Sequence, residues 1–155
     1  TFGDFKVLEF QFAAIQLNRL NWRDFLTQPN PVAAALMAKM NISKQERPQV
    51  KAECLRLLAT LKLDPARMQL ISGFVDTYLQ MDTTEEQVFQ AAIDTMGLTE
   101  REEIMEIVTS WEQKALEKVA LNLLREGLAI EVIIRVTGLT MEQVQQLQAQ
   151  LSQEN

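Results

Sequence analysis

Histidine is absent from the 155 residues of the chain. That one absence removes Ser–His and Cys–His nucleophile pairs, imidazole acid–base catalysis and imidazole metal ligands together. Cysteine occurs once, so no disulfide can close within the chain, and a reducing cytoplasm is the expected compartment. The lone thiol, Cys54, shares a helical face with Val50, Leu57, Leu58 and Leu61, a setting that predicts a buried structural group and not a nucleophile. No apolar run approaches the roughly 20 residues needed to cross a bilayer, and no basic-then-apolar leader opens the chain. Neither a membrane span nor an export signal is therefore expected.

Positive charge is also scarce. Lys and Arg number 15 against 21 Asp and Glu, for a net charge of -6. Nonspecific nucleic-acid affinity comes largely from neutralising phosphates with cations, so a broad phosphate-binding face is not expected, although a local basic patch is compatible with this balance. What remains is an ordinary globular composition: 47% hydrophobic residues, five Gly and four Pro, about one domain's worth and enough for a real core. Enzyme chemistry would have to come from carboxylates, Lys, Tyr78 or Cys54.

The segment from Phe5 to Leu17 alternates. Leu8, Phe10 and Phe12 share one side, and Glu9, Gln11 and Ala13 the other, the period of a half-buried β-strand. No second convincing strand follows, and a lone strand cannot satisfy its own backbone. Residues 1–20 are thus expected to be a strand left from, or pairing with, an upstream core, or else to pair with another chain.

Helix punctuation dominates after Leu17. Asn21 can cap a short helix with Trp22, Phe25 and Leu26, and Asn30–Pro31 is a cap and first-turn pair opening Val32 to Met40. Ser43 with Glu46 forms a capping box before Pro48 and "QVKAECLRLLATL", and Asp64–Pro65 precedes "ARMQLISGFVDTYLQM". Thr83 with Glu86 and Thr99 with Glu102 read as two more boxes, opening one helix to about Met96 and a long one to about Glu126. Gly127 ends the long helix, and two shorter helices around Gly138 close the chain. The expected fold is mainly α: a helical bundle of six or more helices, preceded by one N-terminal β-strand and ending in a helix-turn-helix-like hairpin, with a helical domain over 21–126 and a two-helix element over 127–155. Glu85, Glu86, Glu100, Glu102 and Glu103 fall in first turns, where negative charge favours the helix dipole, so solvated caps explain them better than a metal cluster does. Trp22 and Trp111 sit among apolar neighbours at helical spacing and are expected in the core.

The tail imitates a helix-turn-helix. A short apolar helix from Ile130 leads through "TGL" into a helix capped by Thr140, with Gln143 completing the box. Base-reading positions would be Met141, Glu142, Gln143, Gln145 and Gln146, and Gln can read adenine. Lys and Arg, however, are absent from Thr140 onward. Packing or self-association through Val144, Leu147 and Leu151 is therefore the expected role of the tail, with DNA reading as the alternative.

Three long stretches carry a family likeness: "LNRLNWRDFLTQPNPVAAALMAKM", "RPQVKAECLRLLATLKLDPARMQLISGFVDTYLQM" and "EIMEIVTSWEQKALEKVALNLLREGLAIEVIIRVTGLTMEQVQQL". They resemble the C-terminal helical half of the bacterial recombination-promoting nuclease/putative transposase family, especially its cyanobacterial members. The resemblance implies an upstream PD-(D/E)XK core in which an Asp and a Glu-x-Gln pair bind Mg²⁺ for phosphodiester cleavage. In this sequence Glu9 and Gln11 imitate the second half of that pair. Asp4 lies on the same segment, too close to be the partner from a separate strand. The chain alone is therefore expected to need no cofactor and not to cut DNA. Its expected role is to support the core or mediate self-association, as a fragment or a truncated reading frame; an autonomous interaction module and an accessory DNA-binding domain are the alternatives.

Overall fold

The computed structural model describes residues 9–153. Among these the regular structure is helical: α1 (Pro31–Met37), α2 (Arg47–Thr60), α3 (Pro65–Tyr78), α4 (Thr83–Asp94), α5 (Leu98–Arg125), α6 (Ile130–Thr137) and α7 (Met141–Gln153), with single 3₁₀ turns at Leu17–Arg19, Trp22–Phe25 and Lys44–Glu46.

The expected strand is not present among the described residues. Its first part, Phe5 to Leu8, lies outside them, and residues 9–16 have no regular structure. Phe10, Phe12 and Ile15 are each more than three-quarters exposed. The physical reason is the one that made a lone strand suspect: alternation earns no ladder without a neighbouring edge, and none is offered among the described residues. The nearest approach to a sheet is an isolated bridge between Asn21 and Asn41, in which the Asn41 N–H donates to the Leu20 carbonyl at 2.9 Å.

Most helix starts follow their sequence signals. The Asn21 side chain accepts from Arg23 N–H at 3.2 Å, Asn30 from Val32 N–H at 2.9 Å and Asp64 from Arg67 N–H at 3.0 Å. Two starts differ by a residue or more. The box before α4 is Asp82 with Glu85, each side chain accepting the other's backbone N–H, at 2.8 and 3.0 Å, and not Thr83 with Glu86. A carboxylate accepts more strongly than a hydroxyl, so the helix starts one residue earlier. Likewise α5 begins at Leu98 behind Gly97, with no side-chain cap, and Thr99 lies inside its first turn.

Two apolar clusters organise the chain. The larger centres on α2, which packs on α1, α3, α4 and α5; Val50, Cys54, Leu55 and Leu58 are fully buried there with Trp22, Met37, Val75 and Ile93. The smaller comprises Ala120, Ile133, Leu139, Val144 and Leu147, where α6 and α7 pack on α5 and on each other. Helix α5 serves both. Its 28 residues span roughly 42 Å, with Ile104 and Ile107 in the first cluster and Ala120 in the second.

Candidate functional site

Glu9 and Gln11 are exposed and lie outside any helix. Asp4 falls outside the described residues. Among the described residues no three His, Cys, Asp or Glu side chains converge in a way that could hold a metal ion. The described carboxylates therefore do not fit the Mg²⁺ site that the family resemblance implies for a longer protein.

Several of them are engaged as caps and ion-pair partners instead. Glu46 accepts from both the Ser43 N–H and the Ser43 hydroxyl, at 3.0 and 2.7 Å, and pairs with Arg23. The Ser43 bonds first, then the Arg23 guanidinium, hold its carboxyl down at about 2. Glu85 meets Arg47 at 3.3 Å, Asp64 meets Arg67 at 3.3 Å and Asp94 meets Arg101 at 3.4 Å. Burial pushes the Cys54 thiol up to about 12, so thiolate chemistry is closed to it at neutral pH.

The most elaborate side-chain cluster was not visible in the sequence. Lys51, on α2, is nearly fully buried; its ammonium meets Asp76 of α3 at 2.7 Å and lies 5.1 Å from the Trp111 ring of α5 and 5.7 Å from the Phe89 ring of α4. The Trp111 indole N–H donates to the Ser72 hydroxyl at 3.2 Å. One cation thus ties four helices together, with its ammonium on a carboxylate and near two aromatic rings. Nothing in local spacing marks Lys51, because its partners come from three other helices.

The tail has the geometry of a helix-turn-helix in which the end of α5 supplies the first helix. A Schellman turn closes α5: Gly127 is left-handed at φ 76°, its N–H donates to the Leu124 carbonyl at 3.0 Å, and Leu128 N–H donates to Leu123 at 3.1 Å. Gly138, at φ 73°, closes α6 with a 2.8 Å bond to the Ile134 carbonyl. The buried Thr137 hydroxyl bridges the turn, donating to Ile133 at 2.7 Å and accepting from Leu139 N–H at 3.3 Å. Thr140 and Gln143 complete a reciprocal cap at 3.2 and 2.8 Å, opening α7.

Within this unit Val144 is fully buried and Leu147 nearly so, both in the cluster on α5, while Leu151 is half-buried. The opposite face of α7 presents Glu142, Gln145, Gln146, Gln148 and Gln150 to solvent. Glu142 is the sole ionisable residue of the helix. Met141 and Val136 are exposed beside the turn.

No curated protein and no solved structure matches the chain. Residues 113–149, from the second half of α5 through most of α7, match the family model described as Rpn/YhgA-like nuclease family, C-terminal HTH domain. That region is where the Gly127 and Gly138 turns hold three short apolar faces against one another, so residues 113–149 are similar, in sequence and in helix arrangement, to the C-terminal HTH domain of the Rpn/YhgA-like nuclease family.

Proposed function

We propose that this chain is the non-catalytic helical portion of a nuclease-like protein, which supports a catalytic core or holds partners together and does not itself cut DNA. The observation behind this reading is the outward face of α7. A stand-alone DNA reader needs cations around its base-contacting positions to capture phosphate, and this face carries glutamines and one glutamate. Over 113–149, four Lys and Arg are balanced by four Glu, so the matched region carries no net positive charge to draw it to a duplex. Its function lies in contact with other protein parts. In this division residues 21–126 act as the supporting bundle and 127–155 as the projecting tail, joined through α5.

A second reading, sequence-specific DNA recognition by α7, is favoured by the family match and by the exposure of Gln145 and Gln146 in its early turns, since Gln can form a bidentate pair with adenine. Titrating the chain with a panel of duplexes at two salt concentrations separates the two. The supporting role expects no affinity difference between duplex sequences, in the wild type or in Gln145→Lys. Sequence-dependent affinity that disappears in Gln145→Ala establishes the DNA-reading role instead. Plasmid incubation with Mg²⁺ or Mn²⁺ should leave the DNA intact; cleavage abolished by Glu9→Ala would restore Glu9 as a metal ligand.

A further inference from the structure

The charge balance of the chain conceals a local excess. Among the described residues, Arg23, Arg47, Lys51, Arg56, Arg67 and Arg101 each have a carboxylate at ion-pair distance. Lys39 and Lys44 do not, and both open onto the same cleft of about 510 Å³, between the end of α1, the 38–46 connection and the end of α3. Arg47, Tyr78 and Glu85 complete its polar lining.

Within that cleft the one carboxylate is already committed, because Glu85 sits on Arg47 at 3.3 Å. The Arg47 guanidinium also donates to the Gln80 carbonyl at the end of α3. The Lys39 ammonium rests 4.1 Å from the centre of the Tyr78 ring, which fixes its position without neutralising it. Lys44 projects into solvent from the 3₁₀ turn at Lys44–Glu46. Three cations against one carboxylate leave an uncompensated positive charge in a concave site, on a chain whose overall charge is -6. Concavity concentrates the field of such a cluster.

We propose that this cleft binds a phosphoryl group, held by Lys39 and Lys44 with Arg47 as the backing charge. The class of ligand follows from the donors: two ammonium groups and a guanidinium offer only N–H donors and positive charge, and the walls offer no counter-charge beyond Glu85. The same chemistry is presented by a free polyphosphate and by the backbone of a nucleic acid. The site belongs to the bundle and not to α7, so it stands independently of the role assigned to the tail. Cations near the C-terminal ends of α1 and α3 also complement the helix dipoles, and the test must separate that service from ligand binding.

The full 155-residue chain is titrated with inorganic pyrophosphate by calorimetry, and with a labelled single-stranded oligonucleotide by anisotropy, at two salt concentrations. Wild type is compared with Lys39→Gln/Lys44→Gln and with Lys62→Gln/Lys118→Gln, which removes the same charge elsewhere. The expected result is saturable, salt-sensitive binding that weakens at least tenfold in the first double variant and less than twofold in the second. Pyrophosphate that binds and displaces the oligonucleotide assigns the phosphoryl group itself. Binding of the oligonucleotide alone, lost in the cleft variant, assigns the nucleic-acid backbone. Absence of saturable binding by either probe overturns the proposal. So does equal weakening in both double variants, or a lowered melting temperature with unchanged binding, which leaves the lysines as helix-end complements only.

Discussion

Lys51 shows how much a single side chain depends on where its two ends lie. Its side chain is buried, with the ammonium near the Phe89 and Trp111 rings, but Asp76, its partner, keeps 42% of its side chain exposed. A half-hydrated carboxylate loses little when its cation is removed. Lys51→Met, which keeps the stem volume, should therefore change stability by about 1 kcal/mol or less, whereas Lys51→Ala opens a cavity and should cost on the order of 2–3 kcal/mol. Urea titration of the two variants measures both numbers; equal losses would show that charge, not packing, dominates. Glu46 makes a prediction with a definite pH sign. Its folded value of about 2 lies below the ordinary 4.5, so its contribution is present above 4.5 and is lost as pH falls from there through about 2. Melting temperature plotted against pH should fall more steeply for the wild type than for Glu46→Gln across that window, and parallel curves would refute the assignment.

Helix boundaries were largely legible in the sequence because caps are local. Asn30–Pro31, Asp64–Pro65, Thr140–Gln143, Gly127 and Gly138 each act on residues no more than five positions away, and each operates as its pattern indicates. The α4 start was one residue off because "DTTEE" offers overlapping boxes, and spacing alone does not rank an Asp against a Thr. The ranking can be measured: Asp82→Ala should cost about 1 kcal/mol, while Thr83→Ala should cost only a few tenths. The reverse order in thermal melts would return the cap to Thr83. The N-terminal alternation failed for the opposite reason. A period of two is a demand for a partner edge, and residues 9–16 find none among the described residues.

On the scale of the whole molecule, α5 joins two cores of unequal size, and both tryptophans report on only one of them. Trp22 is buried in the larger cluster and Trp111 packs against it, whereas the smaller cluster contains no tryptophan. Val144→Glu places a carboxylate at a fully buried position of the smaller cluster and should cost on the order of 3–5 kcal/mol. The expected signature is reduced helicity by circular dichroism with tryptophan emission unchanged. Gln145→Lys, one residue along on the exposed face, should shift neither signal. Simultaneous loss of helicity and tryptophan signal in Val144→Glu would mean that the two cores unfold as one unit.

The sequence by itself determined that this chain is mainly helical, where most of its helices start and stop, and that its tail resembles the end of a nuclease-family protein, a resemblance the family match over 113–149 bears out. These follow from composition, from caps that act within one turn, and from motif spacing. Tertiary structure alone decided which faces meet. It turned Val144 and Leu147 inward onto α5, drew Lys51 to an aspartate 25 residues away, and gathered Lys39, Lys44 and Arg47 around one cleft. Such outcomes depend on the packing of helices distant in sequence, and a buried face or a concentrated charge exists only once those helices have closed around it.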